Sequence, residues 1–329
     1  MREIMFRKIE ISVQTVLFLF AFIAGTWLLL QIRDILFLIF IAFLLMTAIY
    51  PIVLWLERFK IHRAVGTFVI YFIVLGVFGV IVGSAVPALV TQSTKLAVTL
   101  PATAARLLPY WNIDFQTISG QIAPFSANVV SVTLGIFTNI LTTFTVFIIT
   151  FYFILERRRA ESTLTEFLGR TTGARVTVLL RVIERRLGSW VRGELLLMTF
   201  IGVLTYIGLM LLHVEFALPL AIIAGILEIV PMIGPFLSAI PAILVALAVS
   251  PILALSVTAL YIVVQQLENN IFVPLVMKRS VGLSPLVTIL ALMIGGRLGG
   301  IGGAVLAIPI VLVLQVLLAT LLDAKNPAT

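Results

Sequence analysis

Two apolar stretches in the C-terminal half, residues 217–249 and 285–322, are each broken at mid-length by residues that an ordinary membrane helix does not carry there. The first break is Pro231-Met232-Ile233-Gly234-Pro235, and the second is Gly295-Gly296-Arg297-Leu298-Gly299-Gly300-Ile301-Gly302-Gly303. Backbone released from its helix at membrane depth survives only where protein buries it or a cavity reaches it, and paired breaks of this kind mark the solute path of carriers. The pattern points to a membrane carrier.

Of 329 residues, 61% are hydrophobic and 11% charged, and apolar runs of 18 or more recur, which excludes a soluble fold. The 22 Lys and Arg give a net charge of +8, yet they fall between the apolar runs as the positive-inside rule requires. The partners expected are therefore a lipid bilayer and a small-molecule substrate or cation, and not nucleic acid. The chain has no cysteine, so disulfides and thiolate chemistry are excluded. His62 and His213 each stand beside the end of an apolar run, the ordinary place for an interfacial histidine, and no metal site is expected from them. The run 13–30 follows Arg2, Arg7 and Lys8 and is too long for a signal-peptide core, so it reads as an uncleaved first helix.

A helix needs about 20 residues to cross about 30 Å of hydrocarbon. Full spans fit at 13–32, 35–55, 65–88, 128–155, 194–212 and 252–272. The fold expected is an all-α polytopic membrane protein with about six full transmembrane helices plus two opposed re-entrant helical hairpins, eight hydrophobic segments in all. That threading places both termini on the cytoplasmic side with all but four of the basic residues, Arg33, Lys95, Arg106 and Arg297 being the exceptions. The arms 217–230 and 236–249 have 14 residues each, about 21 Å of helix and too short to cross. The outgoing arm of the second segment, 304–322, is long enough to cross, so re-entrant and spanning forms both remain open for it.

By segment, 1–90 holds the first three helices, 91–127 a small extracytoplasmic cap, and 128–155 the fourth helix. Residues 156–193 are basic and amphipathic: Val176, Leu179, Leu180, Ile183, Leu187, Trp190 and Val191 keep a helical stripe, while Arg175, Arg181, Arg185 and Arg186 take other faces. Such a helix is expected to lie along anionic headgroups on the cytoplasmic side. Residues 194–322 form the transport region, with hairpin 217–249, span 252–272 and hairpin 285–322.

Ionisable groups at membrane depth are costly and mark function. Glu228, three residues before Pro231, either trades a proton for a solute or satisfies amides freed at the first tip. The sixth span ends in Gln265, Gln266, Glu268, Asn269 and Asn270; helical spacing puts Gln265, Glu268 and Asn269 on one face and Gln266 and Asn270 on the next. Such a set suits a polyhydroxylated solute or serves as interhelical glue. Pro231, Gly234 and Pro235 at one tip and Gly295, Gly296, Arg297, Gly299 and Gly300 at the other are the expected gates, so Gly234→Val should slow turnover more than it harms folding. Arg297 either meets Glu228 or Glu268 or snorkels to water. Arg192-Gly193-Glu194, opening the fifth span, reads as setting that helix's depth rather than as a binding site. Neither HExxH nor GxxxxGK[ST] occurs, so no enzyme, ATP-driven pump, metal or cofactor is expected.

The ordered set Arg192-Gly193-Glu194, Glu228-Ile229-Val230-Pro231-Met232-Ile233-Gly234-Pro235, Pro241, Gln266-Leu267-Glu268, Pro274 and Val281-Gly282-Leu283-Ser284-Pro285, followed by the Gly-rich turn, resembles the autoinducer-2 exporter family over nearly the whole chain. The resemblance implies a bacterial inner-membrane homopentamer, each protomer exporting autoinducer-2 by an elevator-like movement of its hairpins. Some members of that family resemble sodium or lithium/proton antiporters. Glu194 departs from the Gln expected at its position, an added carboxylate that slightly favours ion coupling. Export of a small polar molecule, cation/proton exchange, and a membrane scaffold recruiting a partner through 156–193 thus stand as the functional alternatives.

Overall fold

A computed structural model describes residues 13–77, 140–277 and 282–325, with 79, 80, 83, 84 and 87 between the first two segments. The expected cap 91–127, the start of the span 128–155, and Lys278 and Arg279 lie outside the described residues. The described elements are helical throughout: α1 (Val13–Gln31), α2 (Arg33–Glu57), α3 (Arg63–Val77), α4 (Ile140–Leu168), α5 (Arg170–Leu211), α6 (Ala217–Leu227), α7 (Ile233–Val249), α8 (Pro251–Leu267), a π turn (Glu268–Phe272), α9 (Val273–Met277) and α10 (Pro285–Lys325). Five membrane-crossing candidates by length and apolarity are α1, α2, α5, the run Pro251–Val276 and α10. Together with the shorter apolar helices they make this an all-α polytopic membrane protein. α1 buries none of its residues, as expected of a helix whose neighbour is lipid or another protein.

Both broken segments fold back on themselves. In the first, α6 and α7 pack against each other across the turn 228–232. Within the break Pro231–Pro235 the residue at positive φ is Met232, at φ 68° and ψ −40°, and Gly234 already belongs to α7. A non-glycine residue held there is strained by about 1–2 kcal/mol and must be fixed by its surroundings. Gly234 is needed for a different reason: a Cβ on it would stand 1.9 Å from the Leu227 carbonyl oxygen. Any side chain there should harm folding as well as turnover, against the expectation from sequence.

In the second segment the reversal falls at Gly299 and Gly300, the latter at φ 60° and ψ −144°, a region that only glycine enters freely. Its arms cross at Gly295 and Gly303, so close that a Cβ on Gly303 would stand 2.1 Å from the Gly295 carbonyl oxygen. Two positions eight apart on one straight helix would be about 12 Å apart. The segment is a helical hairpin.

The basic stretch 156–193 continues α4 beyond its apolar part, reverses at Gly169 (φ 78°) and returns as the first half of α5. The stripe Leu179, Ile183, Leu187, Trp190 and Val191 packs on Leu44 of α2 and on Leu306, Ile308 and Leu312 of α10. An apolar face is satisfied by any apolar neighbour, and the neighbour here is protein. The extension is tied by Arg157, whose Nη1 donates to Glu161 Oε1 at 3.0 Å and whose Nη2 donates to Glu184 Oε2 at 2.7 Å, and by the Arg181–Glu161 ion pair. Burial pushes the Glu184 carboxyl above the usual carboxylate range, and the hydrogen bond and charge of Arg157 oppose that push. Arg157→Ala strands this carboxylate and is expected to loosen the extension by about 1–3 kcal/mol. Hydrogen exchange should show it as faster amide exchange over 157–190, with 200–265 unchanged.

Candidate functional site

The chain reversals bring three acidic residues from distant elements to one place. α5 and α6 form an antiparallel pair and approach at Gly202 and Gly225, where a Cβ on Gly225 would stand 2.8 Å from the Met198 carbonyl oxygen. Small residues let the two backbones meet this closely. One turn beyond the crossing, Glu228 at the C-terminal end of α6 comes level with the Glu194 end of α5. α7 and α8 form the next antiparallel pair, and Ser250 caps α8 by accepting from the Leu253 N–H at 3.1 Å. The end of α8 therefore returns to the first hairpin tip, carrying Glu268 with it.

At that point the helix widens into the π turn Glu268–Phe272, closed by the Val273 N–H donating to the Glu268 carbonyl. Pro274 gives a reason for the widening. It has no N–H for the Asn270 carbonyl and its ring crowds that group, and one extra residue in the turn relieves both conflicts.

Glu194, Glu228 and Glu268 are 3%, 1% and 4% exposed. They line one cavity of about 430 Å³ together with Trp190, Leu197, Pro231, Met232, Asn269 and, from the entry to the second hairpin, Gly282, Leu283, Pro285 and Thr288. The side chains of Glu228 and Glu268 are neighbours in the cavity wall, close enough for a hydrogen bond once one of them holds a proton. Glu228 Oε2 and Glu194 Oε1 have no partner. Three amides of the first tip are taken by backbone: Ile229, Val230 and Gly234 donate to the carbonyls of Ile226, Leu227 and Val230 at 3.2, 3.1 and 2.8 Å. No basic side chain lines the cavity among the described residues, and no three acidic or histidine side chains there stand close enough to hold a metal ion.

The comparisons with known proteins decide the family. The AI-2E family transporter profile matches residues 16–323. YrrI of Bacillus subtilis strain 168, a transport protein by name only, is 29% identical over 306 residues, covering 88% of this chain and 86% of its own length. YueF of the same strain, likewise a transport protein by name only, is 30% identical over 289 residues, 80% of this chain and 78% of YueF. The chain belongs to the AI-2E family transporters. This transporter is therefore a membrane carrier and not an enzyme, and the three-carboxylate cavity sits within its matched region.

Of the residues singled out in the transporter's sequence, the cavity gathers Glu228, Glu268, Asn269 and Pro231. Gln265 stands behind them, its Nε2 donating to Glu268 Oε2 at 3.0 Å. Gln266 and Asn270 are exposed and bonded to each other at 3.0 Å, away from the cavity. Gly234 and Pro235 shape the first tip without reaching the wall, and Gly295, Gly296, Gly299 and Gly300 shape the second. Arg297 is exposed at that second tip, outside the cavity, and pairs with neither Glu228 nor Glu268. Glu194 is the cavity residue that the sequence reading left out of the site, taking it to set the depth of its helix and, as an added carboxylate, to favour ion coupling only slightly. The signal was present, since a carboxyl group in an apolar run is costly, but its place at the start of the run made it look interfacial.

Proposed function

We propose that the transporter exports a small polar organic molecule in exchange for protons, with the contacting pair Glu228 and Glu268 carrying the exchanged proton. The observation that carries the reading is this carboxyl pair, buried at membrane depth in a cavity large enough for an organic solute. Two carboxylate charges in contact and away from water need compensation. In the empty cavity a proton supplies it; with solute bound, hydroxyl donors to the carboxylate oxygens supply it instead. Proton and solute then exclude one another, which is the condition for exchange.

Autoinducer-2 is the first substrate to test, from the family's name and because a polyhydroxylated molecule offers the donors that these acceptors, Asn269 and Thr288 can use. The proposal extends to elevator-type movement of the two hairpins, to assembly as a homopentamer, for which the unburied α1 offers apolar surface, and to a bacterial inner membrane with cytoplasmic termini. The carboxyl pair also favours a second reading, sodium or lithium/proton exchange.

The test is uptake of labelled autoinducer-2 into everted membrane vesicles under a proton gradient, compared with vesicles lacking the protein and with Glu228→Gln. Uptake that a protonophore and the substitution both abolish supports the reading. Proton flux driven by sodium or lithium without autoinducer-2 uptake transfers it to cation exchange. Absence of both fluxes in competent vesicles leaves the scaffold alternative.

A further inference from the structure

The carboxyl pair leaves one buried acid unused. Glu194 is 3% exposed and lines the same cavity, but it comes from α5, a different element from the hairpin tip and the π turn that bring Glu228 and Glu268. Its Oε1 has no hydrogen-bond partner. The nearest cation in sequence cannot serve it: the Arg192 guanidinium is turned to α2, its Nη1 donating to the Thr47 carbonyl at 3.3 Å and its Nη2 reaching Ser189 Oγ at 3.5 Å. The titratable groups facing Glu194 across the cavity are Glu228 from the end of α6 and Glu268 from the π turn, both acidic. The wall contributed by α10 and its approach, Gly282, Leu283, Pro285, Thr288 and Ile308, carries no charge. A third carboxyl group facing two others at low dielectric, with no cation among the described residues of the cavity wall, must be neutralised whenever solute is absent.

From this arrangement we infer that Glu194 carries a second exchangeable proton, so that each solute molecule leaves in exchange for about two protons rather than about one. Both protons enter as carboxyl O–H groups, one on the Glu228–Glu268 pair and one on Glu194. Each O–H dissociates to the cytoplasmic side when a solute hydroxyl takes its place as donor to the carboxylate. No redox change or further reactant is involved. The inference rests on the proton-exchange reading of the cavity and deepens it.

The test is the steady-state accumulation of labelled autoinducer-2 in proteoliposomes, measured against an imposed pH gradient with membrane potential clamped to zero. The wild type is expected to accumulate solute by about a hundredfold for each tenfold proton gradient. Glu194→Gln, of the same size and shape, is expected to accumulate about tenfold for the same gradient and still to transport. Glu194→Asp, which keeps an acid, is expected to restore the steeper dependence. A wild-type dependence of about tenfold, or a steep dependence that survives Glu194→Gln, overturns the inference and leaves Glu228 and Glu268 as the proton carriers. Solute uptake that ignores the pH gradient altogether overturns the proton-exchange reading, and this inference with it. If Glu194→Gln fails to assemble, Glu194→Ser takes its place under the same two readings, and a shallow wild type ends the inference in any case.

Discussion

Glu268→Gln is expected to reduce proton-driven uptake by about a hundredfold, equivalent to about 2.7 kcal/mol of barrier, while leaving the amount of folded protein unchanged. Gln keeps the size of the side chain and can still bond Gln265, whose Nε2 now donates to Glu268 Oε2. What it removes is the acid that shares a proton with Glu228. Glu228→Gln is expected to have the same effect, and the double substitution no more than either alone, because members of one proton-sharing pair act as a unit. Gln266→Ala and Asn270→Ala are the controls, since those two side chains bond each other in an exposed position away from the cavity. They are expected to leave uptake within about twofold of wild type, in line with the small effect of surface substitutions. Additive losses in the two acids would separate Glu228 from Glu268 and remove the shared proton from the mechanism.

The second large effect is structural. Gly303→Val is expected to prevent the second hairpin from closing, with loss of most folded protein from the membrane. At Gly303 the obstacle to a side chain is the Gly295 carbonyl, 2.1 Å from the position of a Cβ, and backbone cannot swing aside as a side-chain end can. Overpacking that a core can absorb costs about 1–3 kcal/mol, and a clash of backbone with Cβ exceeds that range. Gly296 supplies the contrast, since a Cβ there would meet only Ala304 Cβ at 4.0 Å, an ordinary contact. Gly296→Ala is expected to fold and assemble as the wild type does. Thermal unfolding of detergent-purified protein, followed by size-exclusion recovery, separates the two: recovery of Gly303→Val equal to that of Gly296→Ala would mean that the arms do not cross at this point.

These two sites show how differently residues disclose their roles. The breaks at Pro231–Pro235 and Gly295–Gly303 could be read as chain reversals because proline and glycine act through the local backbone, and local backbone is what a sequence states directly. The second reversal falls at Gly299 and Gly300, inside the predicted tip. In the first, the residue at positive φ is Met232, also inside the predicted break, in a conformation that its own chemistry disfavours and that surrounding contacts must impose. Likewise the apolar stripe from Leu179 to Val191 was legible as a stripe, yet periodicity says only that a face is apolar. Whether lipid or Leu306 and Leu312 cover it depends on where α10 runs.

The sequence by itself determined that this chain is an all-helical membrane protein, that two of its apolar segments are broken at mid-length, and that Glu228 and Glu268 are costly enough at membrane depth to need a purpose. Hydrocarbon imposes these conclusions, because it leaves no other partner for backbone or charge. Only the tertiary structure decided that Glu194 joins those two acids, that Gln266 and Asn270 do not, and that Arg297 stays outside. These placements depend on how the antiparallel pairs α5–α6 and α7–α8 pack, the first at the Gly202–Gly225 crossing, and on one π turn resetting the register at Glu268. Distances between elements far apart in sequence are set by such packing, and no local pattern contains them.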